Sequence, residues 1–516
     1  MTFSNHGLFG TFEGTLVDPV HGTISFFEHE KYIFDHLLFQ RLRHINQTDV
    51  LNLVFTGSNH NRFQHSLGTM HMAGIIFRKL VESYLTEDRE YGQSAKLNQT
   101  QIESIQYLHW IIRIAALLHD VGHFPFSHQF EFYLERNDKL KLTIHNIWKS
   151  LDSEAGNIYG KNAYQKFSSP DSKTYIRHED LSLRIAYQIL SDNKRQHPEK
   201  SFDNIYDVLM IMEKKIEDDN NFELLWNGKE NDKNICYYII HFHSIFLGDA
   251  WEQKCERGVP KKVVQNTIKL LKNIISSEVD ADKMDYILRD SFYIGCNYGY
   301  FNKEHLLNTL RIGYEAIKDK VSLRYKDIQY HISILDKGLR ALEDFIYSRF
   351  QLYEEIYNHK TISGFRILLH ESFKEVFTDD ATLNETIEYI NDINNYFYFN
   401  DSYLWRLITS YGLANPHSYC NALISRRNLK YISTIINKSQ RQIEIYKNKL
   451  SQASGKNYQH WKSDIKFSRI DGYYDAIKIW KRELGSKKKS RLDSIEDSTD
   501  FFKKFEHKSI IHIFEI

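Results

Sequence analysis

The segment IQYLHWIIRIAALLHD (105–120) constrains the fold of this chain more than any other. Its apolar residues recur every three or four positions, so one face of a helix would be continuously apolar and must be covered by other elements. Long stretches elsewhere show the same spacing, and the 516 residues include only six prolines. Proline interrupts helices, so its scarcity agrees with the periodicity. We therefore expect a mainly α-helical fold with a large core.

Two short segments predict β-structure instead. LVDPVHGTISFF (16–27) places turn residues between two apolar runs. VSLRYKDIQYHIS (321–333) alternates around Lys326-Asp327. We expect a small β-hairpin in each segment.

The domain organisation is predicted from shifts in composition. We expect a catalytic domain over 1–395, with a polar, exposed insertion at about 193–235, and a helical accessory or regulatory region over 396–516. In that region, LKYISTIINKSQRQIEIYKNKL (429–450) is typical of helices that pack by one stripe. The basic run SKKKSR (486–491) is either a solvated loop or a contact for phosphate or nucleic acid.

Composition excludes several classes of protein. The 67 basic and 67 acidic residues give a net charge of zero, so a uniformly basic nucleic-acid surface is not indicated. The four cysteines are far apart and form no CxxC pair, which argues against a zinc finger or a disulfide framework. No run approaches the ~20 apolar residues that span a bilayer, and the N-terminus lacks the pattern of a leader peptide. We expect a cytoplasmic protein with no membrane partner.

The polar cluster that follows the apolar helix is the strongest local signal of chemistry. His119 and Asp120 are adjacent, and Gly122-His123, His128 and Glu131 follow. An adjacent imidazole and carboxylate suit iron, manganese, magnesium or zinc. A histidine on an apolar helix is more often a hydrogen-bonded core residue, so this pair needs further ligands from elsewhere in the chain.

Two other segments offer such ligands. NRFQHSLG (61–68) places a histidine and an arginine just before an amphipathic helix. EVDADKMDY (278–286) packs four carboxylates closely, with Asp282, Asp285 and Tyr286 at helical spacing. Taken alone, the first segment could be ordinary surface chemistry and the second a solvated acidic helix start.

Together the segments resemble the HD-domain deoxynucleoside triphosphate triphosphohydrolases. The resemblance covers roughly residues 12–375 and ends with Tyr357-Asn358-His359-Lys360. Its ordered blocks are DPVHGTI (18–24), FQRLRHINQ (39–47), NRFQHSLG (61–68), LLHDVGHFPFSH (117–128) and VDADKMDYILRD (279–290).

The resemblance implies a metal site with two imidazoles and two carboxylates. The implied ligands of one divalent ion are His65, His119, Asp120 and Asp282. Such an ion polarises a phosphate and lowers the pKa of water. The nucleoside 5′-oxygen leaves poorly unless it is protonated, and His128 is the candidate acid. The residues expected to handle protons or to bind a second metal are His123, Glu131 and His178.

The resemblance also implies a pocket for a deoxynucleoside triphosphate. The residues expected on the phosphates are Arg62, Lys283 and Arg349, with Tyr286 assisting. Those expected at the sugar are Gln47 and Asp290, on the 3′-hydroxyl, and Tyr357, which excludes a 2′-hydroxyl. Asn358 replaces a glutamine near the base, and Thr48 replaces an aliphatic residue at the sugar, so base preference stays open.

A second nucleotide site is implied by Asp35, Gln40 and Arg43, which fall in register with a guanine-reading activator pocket of the family. Surface salt bridging would account for the same residues equally well. Gly14-Thr15 stands where the family has a lysine. If the site binds GTP or dGTP, we expect the nucleotide to promote a homo-oligomer, either a dimer or a tetramer.

Three functions are compatible with these residues. The first is hydrolysis of deoxynucleoside triphosphates to deoxynucleoside and triphosphate. The second is an HD phosphohydrolase that acts on another signalling nucleotide or on single-stranded nucleic acid ends, which the run SKKKSR (486–491) slightly favours. The third is an inactive nucleotide-sensing protein. The products distinguish the three. Release of tripolyphosphate indicates the first function, and monophosphate or oligonucleotide products indicate the second. Nucleotide binding without turnover indicates the third.

Overall fold

The computed structural model describes most of the chain. The described residues are 7–87, 97–136, 177–213, 235–247, 261–318, 325–465, 477–482, 490–494, 498–499, 501 and 508–516. Their architecture is mainly α-helical with three small sheets, which confirms the fold class expected from the sequence.

The helices are numbered in chain order. They are α1 Glu28–Phe34, α2 Leu37–Gln40, α3 Arg62–Glu87, α4 Gln99–Leu118, α5 His128–Arg136, α6 His178–Gln196, α7 Ile205–Met212, α8 Ile235–Leu247, α9 Lys261–Ile275, α10 Ala281–Ile294, α11 Lys303–Thr309, α12 Leu339–Gln351, α13 Lys360–Val376, α14 Asp380–Asn391, α15 Asp401–Ala414, α16 Tyr419–Ile424 and α17 Gln440–Ser454. A π-helical segment, Leu352–Tyr357, continues α12.

Helix α4 forms the centre of the core. It begins at a capping box, in which the Asn98 side chain accepts from the Gln101 backbone and the Gln101 side chain accepts from the Asn98 backbone. From Ile111 to Leu118 every residue is buried, because α3, α7, α8 and α9 pack around it. The helix therefore delivers His119 and Asp120 to the interior of the protein.

The strands form three sheets. They are β1 Gly14–Asp18, β2 Gly22–Phe26, β3 Leu310–Lys318, β4 Tyr325–Leu335, β5 Lys430–Ile436, β6 Tyr458–Ile465, β7 Ile477–Arg482, β8 Ser490–Ser494 and β9 Lys508–Glu515. The sheet orders are β1-β2, β3-β4-β7-β8 and β5-β9-β6. Neighbouring strands are antiparallel except β4 and β7, which are parallel.

The two predicted hairpins have different outcomes. The first is confirmed, since β1 pairs with β2 from Gly14 opposite Phe26 to Asp18 opposite Gly22. The second is displaced: Lys326 and Asp327 lie within β4, whose antiparallel partner is β3, Leu310–Lys318. The antiparallel pair therefore begins earlier in the chain than the segment 321–333 predicted.

The C-terminal region contains strands as well as helices. The stretch 429–450, expected to be helical, forms β5 and then α17. The spacing of its isoleucines at 432, 435 and 436 is compatible with a helix or with a strand. The segment forms a strand because it pairs with β9. Within SKKKSR, residues 486–489 lie outside the described residues.

Two clusters of buried side chains divide the C-terminal region. Residues from α15 and α16, including Leu404 and Leu423, belong to the same core as α4. A second, smaller cluster contains Ile443, Tyr458, Ile511 and Ile513, from α17, β6 and β9. The expected domain boundary at 395/396 stays a prediction. Of the expected insertion at 193–235, α7 is partly buried and residues 214–234 lie outside the described residues.

Among the described residues, none of the helices combines the length and the apolarity needed to cross a membrane.

We predict that α15 is part of the cooperative unit formed by the main core. Leu404→Ala should lower the free energy of unfolding by about 2–5 kcal/mol, because it leaves a cavity at a residue that is 1% exposed. Leu413→Ala is the matched control on the same helix, and at 70% exposure it should change stability by less than about 0.5 kcal/mol. Urea unfolding followed by tryptophan fluorescence and circular dichroism measures both. A separate early transition in Leu404→Ala, with the main midpoint unmoved, would contradict this.

Candidate active site

Four imidazole and carboxylate groups from three helical segments meet at one place. His65 lies in the first turn of α3, His119 and Asp120 directly follow α4, and Asp282 lies in the first turn of α10. Asp280 caps α10 by accepting from the Lys283 backbone N–H at 2.7 Å. The sequence therefore folds so that three helix ends converge, and each carries one or two candidate ligands.

The ligand atoms lie at the separations expected around a single ion. His65 Nε2 is 3.1 Å from Asp282 Oδ1 and 3.7 Å from Asp120 Oδ2. His119 Nε2 is 3.5 Å from Asp120 Oδ1 and 3.8 Å from Asp282 Oδ1. Ligands about 2.1 Å from one ion lie roughly 3.0–3.4 Å from each other. His65, His119 and Asp120 each place a ligand atom within 4.8 Å of the other two, so this group could hold a divalent metal, with Asp282 beside it.

The hydrogen bonds of the two histidines leave a lone pair for a metal on each ring. His119 Nδ1 donates to the Ala116 carbonyl at 2.7 Å, and His65 Nδ1 is bonded to Asp285 Oδ2 at 2.7 Å. The Nε2 atoms of both rings are buried and have no hydrogen-bond partner. Buried polar atoms are normally satisfied, so these two atoms are suited to bind a metal ion.

The electrostatics of the cluster favour a cation. Burial raises the pKa of Asp120, but His119, His123 and Arg62 outweigh it and hold that pKa well below its usual range. Burial likewise opposes the charge on His65, but Asp282 and Asp285 raise its pKa to about 10. The carboxylates are thus ionised, and the imidazoles can exchange a proton for a metal ion.

A second polar cluster adjoins the first. Glu131 Oε2 lies 3.2 Å from His128 Nδ1 and 3.0 Å from His178 Nδ1. His123 stacks on His178 with ring centroids 3.9 Å apart, and its Nε2 is 3.5 Å from Asp120 Oδ1. The structure therefore brings together all four residues expected to handle protons. His128 is the exposed member, with 52% of its side chain accessible.

Gly122 makes this second cluster possible. A Cβ atom built on it would lie 2.2 Å from the Ser182 backbone nitrogen and 2.5 Å from the His178 carbonyl oxygen. The start of α6 therefore packs directly against the backbone between the two motif histidines. Any larger residue would push His178 away from His123.

The cations expected on the phosphates each have a carboxylate partner. Arg62 Nη1 is 2.5 Å from Asp120 Oδ2, and Arg349 Nη1 is 3.0 Å from Glu278 Oε2. Lys283 Nζ donates to Asp280 Oδ2 at 2.7 Å and to the Ser277 carbonyl at 2.6 Å. Tyr286 is half-buried, and burial raises the pKa of its hydroxyl well above its usual value. The carboxylates fix the positions of these cations.

The residues expected at the sugar are connected through His60. His60 Nε2 is bonded to Asp290 Oδ1 at 2.7 Å, and its carbonyl accepts from the Gln47 backbone N–H at 3.1 Å. The Tyr357 hydroxyl donates to Asp290 Oδ2. Gln47 Oε1 is buried without a hydrogen-bond partner. Asn358 follows Tyr357 and donates from its side chain to the Tyr353 carbonyl at 2.7 Å.

The three residues of the expected activator pocket each contact a nearby side chain. Asp35 pairs with Lys31 at 2.6 Å. Gln40 accepts from Arg43 Nε at 2.7 Å, and the Arg43 guanidinium lies 3.5 Å from the centroid of the Phe63 ring. These contacts agree with the salt-bridging alternative and leave the activator role a prediction.

Several residues of the site were not assigned from the sequence. Asp285 accepts from Arg289 and is bonded to His65 and to His21, whose Nε2 is 2.6 Å away. The spacing of three residues from Asp282 was a usable signal for Asp285. No local signal marks Asp401, which reaches the site from α15.

The HD domain is the family whose model matches this chain, over residues 62–149. Among curated proteins, deoxynucleoside triphosphate triphosphohydrolase SAMHD1 of Gallus gallus is 27% identical over 361 residues, or 69% of this chain. The uncharacterized protein YwfO of Bacillus subtilis is 26% identical over 367 residues, also 69% of this chain. The alignments span about half the length of these relatives, 44% of the first and 54% of the second.

Two solved structures share the fold across nearly the whole chain. A phosphohydrolase from Bacteroides thetaiotaomicron has a TM-score of 0.58 at 18% identity and covers 98% of this chain and 100% of its own. A hypothetical protein from Aquifex aeolicus has a TM-score of 0.55 at 20% identity and covers 97% of this chain and 96% of its own. At such identities the likeness bears on the fold alone.

We predict that the four-residue cluster binds a divalent metal. His65→Ala and Asp120→Asn should each lower the affinity for Mn²⁺ by at least about 100-fold, because each removes a ligand from a four-ligand set. Helical content should stay nearly unchanged. Metal content by mass spectrometry and circular dichroism measure the two effects.

His305→Ala provides the control for those variants. His305 is exposed and its Nε2 donates to the Lys337 carbonyl, away from the cluster, so the variant should bind metal as the parent does. Equal metal content in all four proteins would place the metal elsewhere.

Proposed function

Because this chain carries an HD domain, we propose that it is a metal-dependent phosphohydrolase that cleaves deoxynucleoside triphosphates into deoxynucleoside and triphosphate. One observation carries the proposal. The two unpartnered Nε2 atoms of His65 and His119 face the ionised carboxylates of Asp120 and Asp282, and a phosphate-binding cation, Arg62, lies against the same cluster. The SAMHD1 relatives, which bear the name of that activity, support the substrate class.

The metal would be held by His65, His119, Asp120 and Asp282. Bound there, a divalent ion such as Mn²⁺, Mg²⁺, Fe²⁺ or Zn²⁺ supplies Lewis-acid polarisation of the phosphate and a lowered pKa for water. Asp285 keeps the His65 ring oriented through its 2.7 Å hydrogen bond. An oriented ring presents Nε2 to the ion without loss of rotamer freedom on binding.

The neighbouring histidines supply the proton that the leaving group needs. His128 is exposed and Glu131 holds its Nδ1, so Nε2 is free to carry a proton toward the nucleoside 5′-oxygen. Glu131 is anionic because hydrogen bonds from His128 and His178 overcome the effect of burial and lower its pKa. An anionic Glu131 can accept a hydrogen bond from His128 Nδ1 at 3.2 Å, which orients the ring.

Phosphate oxygens of the substrate would replace the carboxylates that now contact the cations. Arg62, Lys283 and Arg349 already lie beside carboxylates, and phosphate oxygens can replace or share those contacts. Tyr286 adds a hydroxyl donor, since its raised pKa keeps the proton on the ring. Cations held in position lose little side-chain entropy when the substrate arrives.

Selection of deoxyribose would depend on Tyr357. Its hydroxyl is tied to Asp290, which fixes the ring in the pocket beside the residues expected on the 3′-hydroxyl. A fixed ring excludes a 2′-hydroxyl by sterics. Gln47 Oε1 is a free acceptor for the 3′-hydroxyl, and Asn358 is proposed near the base.

We propose regulation and assembly from the resemblance of three residues to an activator pocket of the family. GTP or dGTP would bind at Asp35, Gln40 and Arg43 and promote a dimer or tetramer. Arg43 would then give up its contact with Gln40, because the guanine base needs that amide.

We predict that incubation with a deoxynucleoside triphosphate and Mn²⁺ or Mg²⁺ yields the deoxynucleoside and tripolyphosphate. Ion-exchange separation of the products, with and without GTP, measures the reaction, and Asp120→Asn is the negative control. Stimulation by GTP that Arg43→Ala removes would support the activator site. Monophosphate or shortened oligonucleotides would indicate another HD phosphohydrolase activity. Nucleotide binding without turnover would indicate a sensor.

We predict that Tyr357→Ala makes ribonucleoside triphosphates better substrates relative to the deoxy forms. Removing the ring opens the space at the 2′-position, and a buried steric block is worth about 1–3 kcal/mol, or roughly 10- to 200-fold in discrimination. Tyr357→Phe keeps the ring and loses only the bond to Asp290, so its discrimination should remain close to that of the parent. The ratio of kcat/KM values for matched ribo and deoxy substrates decides between them. An unchanged ratio in Tyr357→Ala means that another group excludes the 2′-hydroxyl.

A further inference from the structure

The turn that precedes α5 has an unfavourable backbone conformation. Phe126 and Ser127 have φ values of 53° and 54°, in the left-handed region. Side chains larger than hydrogen disfavour this region, and two such residues in succession are unusual. Strained residues persist only where their surroundings hold them. This turn sets the start of α5, and His128 is its first residue.

Asp401 is the side chain that holds the turn. Its Oδ1 accepts from the Phe126 backbone N–H at 2.7 Å, and its Oδ2 accepts from the Asn46 backbone N–H at 2.9 Å. One buried carboxylate therefore bridges two segments, at Asn46 and at Phe126, that are distant in the chain. Trp405, one turn further along α15, packs edge-on against the Phe126 ring at 5.2 Å.

Ser127 makes a second connection between the same segments. Its hydroxyl donates to the Asn46 carbonyl at 2.8 Å and accepts from Arg62 Nε at 2.9 Å. Asn46 precedes Gln47, which is proposed at the sugar, and Arg62 contacts Asp120. The two connections thus join the acid, the sugar site and a phosphate-binding cation.

The charge of Asp401 is compatible with this role. Burial raises its pKa to about 6, while the two backbone donors and the nearby Arg41 and Arg62 limit the rise. Above that pH both oxygens are available as acceptors, and the two N–H groups would be buried without partners if the carboxylate were removed.

We propose that Asp401, together with Ser127, is a positioning residue that clamps the Phe126–Ser127 turn to Asn46 and so fixes His128 relative to Gln47. The assignment of roles to His128 and Gln47 rests on the proposed function. The clamp itself rests on the hydrogen bonds alone. It makes α15, in the expected accessory region, a structural part of the active site.

The test is Asp401→Asn, which keeps the shape of the side chain but turns an N–H donor toward one of the two backbone N–H groups. Hydrogen exchange of peptides covering 124–131 and 44–48 should become faster in the full-length variant. Metal content should equal that of the parent, because no metal ligand is touched. With a deoxynucleoside triphosphate as substrate, kcat should fall by about 10-fold or more while KM changes little, since misplacement of a catalytic group acts on the chemical step.

Asp207→Asn is the matched control. Asp207 is also buried, also accepts from a backbone N–H, that of Ile235, and also has a pKa raised by burial to about 6, but it contacts Tyr107 on α4 rather than the turn. Exchange at 124–131 and kcat should match the parent in this variant. If Asp401→Asn does not fold, Ser127→Ala serves instead and should show a smaller change in the same direction in the same peptides.

The clamp and the proposed function are tested by different outcomes of these experiments. Unchanged exchange at 124–131 in Asp401→Asn, or equal losses of kcat in Asp401→Asn and Asp207→Asn, would overturn the clamp. Should the parent hydrolyse no deoxynucleoside triphosphate, the proposed function fails, and hydrogen exchange alone still decides whether Asp401 holds the turn.

Discussion

The buried carboxylate of Asp285 is the interaction on which the rest of the site depends. Arg289 donates to it from Nε and Nη2, each at 2.9 Å, and His65 and His21 each add a bond. Arg289 also binds Asp18 at 2.9 Å, so the network ties the β1-β2 hairpin, α3 and α10 together. An unpaired charge at such depth would be severely destabilising, and complete pairing makes this arrangement rigid. Gly68 leaves room for it, since a Cβ there would lie 1.8 Å from Asp285 Oδ1.

The parts of the site that could be predicted from the sequence are those carried by contiguous motifs. His119 and Asp120 are adjacent, and His65 and Asp282 lie in short blocks with characteristic neighbours, so the structure brings together groups already visible in the chain. The carboxylates that hold the cations were harder to foresee. Asp280 and Lys283 are only three residues apart, but the pairing of Glu278 with Arg349 depends on the position of this acidic run relative to α12. Local sequence carries no information on that position.

The predictions of secondary structure that were wrong also failed because of pairing between distant parts of the chain. The hairpin expected within 321–333 is displaced, because β4 runs through Lys326 and Asp327 and pairs with β3, Leu310–Lys318. The stretch 429–450 is amphipathic at both periods, and β9, more than 70 residues later, selects the strand for its first part. Asp401 is the extreme case. An aspartate at a helix N-terminus is ordinary, and only the assembled fold shows that its side chain reaches across to Asn46 and Phe126.

The C-terminal sheet also contacts the backbone beside the proposed substrate pocket. His512 on β9 donates from Nε2 to the Asn358 carbonyl at 2.9 Å, and its Nδ1 can accept from the Thr434 hydroxyl on β5 at 2.8 Å. A carbonyl only accepts, so this pair of bonds selects one neutral tautomer of His512. Asn358 directly follows the π-helical segment that carries Tyr357, and π-helical geometry is rare in proteins. The bond from His512 thus ties the sheet to the backbone next to Tyr357, much as Asp401 on α15 bonds the backbone that precedes His128. Both halves of the C-terminal region act on the site through the main chain, which explains why neither was visible as a motif.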